Sequence, residues 1–117
     1  MTARTATAVV RAAYDAFNTR DVEAGVALMA DDVIWPNVPD GGVVRGRDGV
    51  RAHWREQFEA VDPRIELLDV AADGDGHVRA SVRQIVRSHE GTILSDDRLT
   101  HVFRMRAGLI QSMESGG

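Results

Sequence analysis

The amino-acid sequence predicts an α+β fold in which N-terminal helices pack on a curved, mostly antiparallel sheet and enclose a pocket. Three observations predict it. Apolar residues recur every three or four positions in the first half of the chain, as on one side of a helix. In the second half they alternate with polar residues, as in strands with one wet face. Turn-forming segments such as Asp73-Gly74-Asp75-Gly76 separate the alternating stretches. Helices followed by a strand meander are typical of an α+β fold.

The first two helices are predicted from the apolar spacing and from one capping residue. Residues 5–18 place Tyr14 and Phe17 on the apolar side of the first helix. Asp21 is a suitable N-cap for a second helix, which we expect to end near residues 30–31. Residues 33–35 are β-branched and aromatic and predict a short strand that Pro36 and the turn at residues 39–42 stop.

A third helix is predicted after residues 43–46, to which no helix or strand is assigned, with Asp48 as its N-cap and Pro63 beyond its end. Trp54 and Phe58 lie on its apolar side. Such a stripe is more often core than cofactor site, but part of it is expected to line the pocket.

The second half of the chain predicts four strands, at residues 65–71, 78–88, 98–106 and 109–113. In residues 78–88 the period of two is clean, and Gln84 is the polar exception on the apolar face. His101 alternates with Phe103, so its side chain is expected on the inward face of its strand. A polar group is thereby aimed at the core.

Composition narrows the classes of protein. The 117 residues fit one domain spanning 1–117, and 44% hydrophobic with 27% charged residues is ordinary for a soluble globular chain. The net charge of -4 and the scattered arginines argue against nucleic acid as a partner. Without a long apolar run we expect no membrane span, and a cytoplasmic location. The absence of cysteine and lysine excludes thiolate and Schiff-base chemistry.

Three stretches resemble the nuclear transport factor 2-like superfamily, in particular its SnoaL-like, polyketide cyclase-like and ketosteroid isomerase-like members. They are AYDAFNTRD at residues 13–21 with ADDV at 30–33, RGRDGV at 45–50, and HVFR at 101–104 closing on GLI at 108–110. Their order covers almost the whole chain. The resemblance implies a cone-shaped half-barrel with a pocket between helices and sheet, and a homodimer formed through the sheet. It does not imply one activity, because this fold supports several.

The resemblance also implies where catalytic groups would lie, and this chain departs from the isomerase pattern. Ala13 occupies the place of the isomerase tyrosine, with Tyr14 one residue, or about 100°, away. Asn37 occupies the place of the aspartate base, and an amide cannot take a proton at neutral pH. His101 occupies the place of the second oxyanion donor. Steroid isomerisation by the usual mechanism is therefore not expected.

His101 is the leading candidate for chemistry, because imidazole can accept and return a proton near neutral pH. A structural histidine satisfied by one buried hydrogen bond is the alternative. Asp97 lies four residues earlier, about 13 Å away along a strand, so a direct pair is excluded unless the strand bulges. A partner for His101 must come from another element, and the candidates are Gln84, Asn37 and Tyr14.

We predict His101, Asn37 and Tyr14 as catalytic residues, with core packing as the alternative for Trp35 and a turn role as the alternative for Asn37. The predicted substrate contacts are Trp35, Trp54, Phe58, Phe17, Gln84, Phe103 and Met113. No cofactor and no metal are expected: His53 and Gln57 have a helical spacing, but glutamine is a poor metal ligand.

The sequence supports two functional hypotheses. The first is a small-molecule enzyme that uses general acid-base chemistry, of the isomerase, cyclase, hydratase or hydrolase type, on an apolar, polycyclic or polyketide-like substrate. The second is a non-catalytic ligand-binding or dimerisation module of the same fold. Whether His101 reaches a solvent-connected cavity discriminates between them.

Overall fold

The computed structural model describes residues 5–37 and 42–116, in which helices cover one face of a mixed, open sheet. The helices are α1 (Ala6–Asn18), α2 (Val22–Val26) and α3 (Gly46–Ala60). The strands are β1 (Met29–Asn37), β2 (Gly42–Arg45), β3 (Asp62–Ala72), β4 (His77–Arg87), β5 (Ile93–Arg106) and β6 (Leu109–Gly116). The six strands of this part of the chain are ordered β2-β1-β6-β5-β4-β3. Every pair is antiparallel except β1 with β6. The predicted α+β fold is confirmed.

Helix α1 is placed on the sheet by its apolar side and by one side-chain clamp. Thr5 caps its first turn, as its hydroxyl accepts a hydrogen bond from the amide of Ala8. At the other end, the Asn18 amide donates to the carbonyl of Ile65 at 2.7 Å and accepts from the Ile65 amide at 2.9 Å. These two hydrogen bonds hold the end of α1 against β3. The buried face of α1, which includes Tyr14, therefore lies over the concave side of the sheet.

Strand β1 is longer than predicted at both ends, and helix α2 is correspondingly shorter. The predicted helix end near residues 30–31 is wrong: α2 ends at Val26, and Met29 already pairs with Ile110 of β6. Strand pairing with a distant segment outweighs the local helical pattern. Pro36 does not stop β1. Pro36 lies opposite Val43 of β2. On the β6 side of β1 the paired residues are Met29 and Ile34, so the missing N–H of Pro36 removes no hydrogen bond to β6.

The start of α3 also differs from the prediction. Residues 43–45, to which the sequence assigned no element, belong to β2, and α3 begins directly after it at Gly46. Asp48 is not the N-cap but lies in the first turn, where it forms an ion pair with Arg51. The Arg47 guanidinium instead anchors this end of the helix, since its Nε and Nη2 donate to the carbonyl of Met29 at 2.9 and 2.7 Å. The predicted turn residues 39–41 lie outside the described residues.

The two faces of the sheet differ in polarity, as the alternation predicts. Val78, Ala80 and Val82 of β4 are buried on the inner face. The outer face gathers arginines from β3, β4 and β5, although they are scattered along the sequence. They are Arg64, Arg79, Arg83, Arg87, Arg98 and Arg104. β5 starts at Ile93 and β6 continues to Gly116, both longer than predicted, because each is paired along its added length.

Candidate functional site

A cavity of about 790 Å³ lies between helices α1 and α3 and the inner face of the sheet. Its walls come from both helices and from β1, β3, β4, β5 and β6. A volume in this range suits a drug-sized small molecule. At one end of the cavity the lining residues Glu56 and Asp97 are exposed. We call that end the mouth, and the opposite end, where His101 is buried, the deep end.

At the deep end, Tyr14 of α1 and His101 of β5 form a hydrogen-bonded pair. Tyr14 Oη lies 2.8 Å from His101 Nδ1, and the planes of the two rings differ by only 18°. Phe103 meets both rings edge-on. His101 is 3% exposed and still lines the cavity. Tyr14, one of the three candidates, is therefore the partner of His101, and α1 supplies it.

Burial keeps both members of this pair uncharged at neutral pH. It lowers the pKa of His101 from 6.5 to about 4 and raises the pKa of Tyr14 above its usual value, because removal from water penalises the charged form. One proton then lies between Tyr14 Oη and His101 Nδ1. In one tautomer the phenol donates to Nδ1 and Nε2 carries the imidazole proton; in the other, Nδ1 donates to the phenol and Nε2 is an acceptor.

The position of Tyr14 corrects the expectation from the resemblance. Tyr14 was expected to point about 100° away from the place of the isomerase tyrosine, which Ala13 occupies. Both Ala13 and Tyr14 line the cavity. Two adjacent residues of a helix point about 100° apart, and the cavity borders α1 over at least that angle. The Tyr14 hydroxyl can therefore face the cavity although it lies one residue after the position of the isomerase tyrosine.

The apolar wall carries most of the predicted contact residues. Trp35 and Trp54 meet at a ring-centroid distance of 5.8 Å, and Phe17 meets Trp54 edge-on at 5.2 Å. The ring of Trp54 reaches this position because Gly25 of α2 has no side chain: a Cβ there would lie 2.4 Å from a ring carbon. The predicted contacts that line the cavity are Phe17, Trp35, Trp54, Gln84, Phe103 and Met113.

Phe58 is placed elsewhere, which corrects the prediction that it lines the cavity. It lies in a shallow surface groove with Arg20, whose guanidinium carbon is 4.4 Å from the Phe58 ring centre. Its inner edge packs against Phe17. One turn beyond Trp54, α3 presents this side chain to the space beside α1 and not to the concave sheet, so the helical stripe is divided between core and surface.

The mouth is lined by polar side chains. Asn37 is half-buried there at the end of β1, and Gln84 of β4 lies directly opposite Asp97 of β5. Sequence reasoning did not select Asp97 or Glu56 as site residues. The sequence places Asp97 on the same strand face as His101, but Asp97 was considered only as a direct partner of His101 and otherwise interpreted as a solvated strand-end residue. The spacing of four residues keeps Asp97 about 13 Å from His101 along β5.

In residues 5–37 and 42–116 no group of three or more acidic or histidine side chains is arranged to hold a metal ion. Within the same ranges, none of the helices is long and apolar enough to cross a membrane.

A cone of helices and curved sheet around a cavity defines a protein of the nuclear transport factor 2-like fold, which solved structures of an ntf2-like protein and of a protein with a ketosteroid isomerase-like fold share. Within it, residues 10–113 match the sequence model of the SnoaL-like domain. The chain belongs to the SnoaL-like domain family. No sequence match was found among curated proteins.

Three solved structures illustrate the likeness. TerC, co-crystallised with polyporic acid, is 24% identical with a TM-score of 0.81, over 94% of this chain and 88% of TerC. RV0760c from Mycobacterium tuberculosis, in complex with estradiol-17beta-hemisuccinate, is 23% identical with a TM-score of 0.83, over 94% and 91%. A putative polyketide cyclase from Sinorhizobium meliloti is 21% identical with a TM-score of 0.80, over 96% and 99%. At these identities the likeness shows the fold alone.

Proposed function

We propose that this protein binds an apolar, polycyclic or polyketide-like small molecule in its cavity and catalyses a proton transfer on it, without a cofactor. The observation that carries the proposal is the uncharged Tyr14–His101 pair, buried on the wall of a cavity otherwise built from apolar side chains. A few polar groups on an apolar wall are how ligand sites are usually built. Ligands in the solved relatives TerC and RV0760c support the ligand class.

The pair can move a proton without becoming charged. When His101 Nδ1 donates to Tyr14, the imidazole Nε2 is free to take a proton from the substrate, and the phenol can donate its own proton to a substrate oxygen. The Nδ1 proton then passes to the phenol oxygen, which leaves the other neutral tautomer. The substrate has lost a proton at one atom and gained one at another, as in an isomerisation or cyclisation through an enol. Asn37 would add a hydrogen bond to a substrate oxygen.

A non-catalytic binding protein is the second candidate, and a specific observation favours it. Asn37 stands where the resemblance places the isomerase base, and the low pKa of His101 makes its imidazole a weak base. On this alternative the same pair only orients a ligand through hydrogen bonds. The two candidates share the binding step and differ in what happens to the ligand's protons.

Binding is testable without knowing the natural ligand, because both tryptophans of the chain, Trp35 and Trp54, line the cavity. Estradiol should quench their fluorescence in a saturable way. Leu99→Phe, which adds bulk to the cavity wall, should weaken that binding at least tenfold. Leu68→Phe is the matched control, because Leu68 of β3 is 43% exposed and does not line the cavity, and this variant should bind as the wild type does. Equal effects of the two variants would contradict binding in the cavity.

Catalysis is tested on ligand that the protein retains when purified from its source, identified by native mass spectrometry. In deuterated water the wild type should exchange protons of that ligand, and His101→Gln should slow the exchange at least about 100-fold while still binding. The wild-type rate should fall only as the pH approaches about 4, since the neutral imidazole is the acceptor. Retention of the ligand with no exchange above that of free ligand would establish the binding module instead.

The homodimer implied by the resemblance belongs to the same proposal, and so does the expected cytoplasmic location. Two exposed apolar residues support the dimer, because Ile93 and Leu94 at the start of β5 are 57% and 56% exposed. Sedimentation velocity should show a dimer that Leu94→Glu dissociates. A wild-type monomer at micromolar concentration would contradict this part of the proposal.

A further inference from the structure

The two ends of the cavity differ in charge. Among the lining residues in the described parts of the chain are two carboxylates, Glu56 of α3 and Asp97 of β5, and no arginine. Yet the chain has 14 arginines, and β3, β4 and β5 all carry arginines on the outer face of this same sheet. The inner face is therefore negative at one end and uncharged at the other, although the outer face is rich in cations.

The negative groups are at the mouth and the neutral pair is at the deep end. Asp97 and His101 both line the cavity from β5, and four residues of strand separate them by about 13 Å. A ligand whose oxygen contacts the Tyr14–His101 pair therefore presents its far end to Asp97 only if it is elongated. Gln84, half-buried and opposite Asp97, offers that end an amide as well.

A carboxylate at the rim of an apolar cavity interacts with a ligand more strongly than one on an open surface, because low-dielectric walls focus its field. It attracts a cation and repels an anion, and like charges brought together at a binding surface are disfavoured. Apart from the imidazoles of His53 and His101, no basic side chain lines the cavity in its described part.

We propose that the cavity selects elongated apolar ligands that carry a neutral oxygen at one end and a protonated amine at the other, and that it discriminates against ligands with a carboxylate at the mouth. Asp97 is the main determinant of this selectivity, and Glu56 adds to it. The proposal rests on the proposed binding function and names the chemical class of ligand.

Three probes with one scaffold test it: estradiol, its hemisuccinate ester on the aliphatic hydroxyl, and the analogue in which that hydroxyl is an amine. With the phenol at the deep end, the three present a neutral, an anionic and a cationic group to the mouth. By tryptophan fluorescence at low salt, the amine should bind about tenfold more tightly than estradiol, and the hemisuccinate about tenfold more weakly. Added salt should reduce both differences.

Asp97→Asn should reduce the preference for amine over hemisuccinate at least fivefold, and Glu56→Gln by a smaller factor. Glu114→Gln is the matched control, because it removes the same charge from the exposed side of the adjacent strand β6 and should leave the preference unchanged. Equal binding of amine and hemisuccinate by the wild type would overturn the charge selectivity while leaving the binding function standing. So would an unchanged preference in Asp97→Asn. Failure of all three probes to bind would instead overturn the binding function, and this proposal with it.

Discussion

At the deep end of the cavity Tyr14 and His101 are buried and share one hydrogen bond, whereas at the mouth Glu56 and Asp97 are exposed to water. The same strand, β5, carries both His101 and Asp97, so the difference comes from position along one element and not from a change of element. Desolvation makes a charge costly at the deep end and inexpensive at the mouth. One cavity thereby combines a neutral proton-sharing pair with a fixed negative charge.

The largest effect expected from this difference is a pH dependence of stability that His101 causes. Because the folded pKa of His101, about 4, lies below 6.5, the unfolded chain takes up the proton first as the pH falls. The stabilisation is complete above pH 6.5 and is lost as the pH falls to about 4, and the gap corresponds to about 3 kcal/mol. Urea unfolding measures the free energy of unfolding of the wild type and of His101→Gln across this pH range. The difference between the two proteins should decrease by about that amount on acidification.

The other histidines and the carboxylates are present in both of those proteins, so the difference between the curves isolates His101. If the free energies of unfolding of the two proteins changed equally with pH, the pKa of His101 would be the same in the folded and unfolded chain. Water would then reach the deep end of the cavity.

A smaller effect is expected at the wall between the two ends. Gly25→Ala would bring a methyl group to 2.4 Å from the ring of Trp54 and push that ring toward the cavity. We expect a loss of about 2 kcal/mol in the free energy of unfolding, as for overpacked cores, with a shift in tryptophan emission. Gly74→Ala, in an open turn where an added Cβ meets nothing within 4 Å, is the control for the substitution itself. Similar losses in both variants would rule out the contact with Trp54 as the cause.

Removing the hydroxyl of Tyr14 should cost about 1 to 2 kcal/mol, because Tyr14→Phe leaves His101 Nδ1 without this partner. Tyr14 is the only tyrosine of the chain, so its ionisation can be followed by ultraviolet absorbance without interference. Since burial raises its pKa, tyrosinate should appear in the wild type well above pH 10, together with unfolding. Ionisation of the folded protein near pH 10 would show that the phenol is accessible to water.

The smallest effect belongs to the mouth. Asp97→Asn should change the free energy of unfolding by no more than about 0.5 kcal/mol, because exposed substitutions away from packed groups rarely change it more. Chemical denaturation at neutral pH measures this directly. A loss comparable to that of Tyr14→Phe would mean that the mouth supports the fold and does not only face a ligand.

Local pattern was sufficient for several features of the site. The alternation in β5 predicted that His101 and Phe103 face inward, and both are buried there. The helical spacing of residues 5–18 predicted the apolar face of α1, which buries Tyr14 and Phe17. The four strands β3, β4, β5 and β6 and helix α3 were located from their own residues, with errors confined to their ends.

Pairing between distant segments decided what local pattern could not. The residues near Met29 have a helical pattern but join β1, because β6 pairs with them. Phe58 has the spacing of a cavity residue but packs beside Arg20 and Phe17, because those contacts depend on the placement of α1 against α3 and not on the period of α3 alone.

The sequence by itself determined the fold class, the polarity of each strand face and the inward direction of His101, because these depend on the period of neighbouring residues along one element. The tertiary structure alone decided that Tyr14 is the partner of His101, across 87 residues of chain, and that Asp97 and Glu56 meet at one mouth. It also decided which groups are charged, because desolvation depends on the packing of many elements around a side chain and not on the residues beside it in the chain.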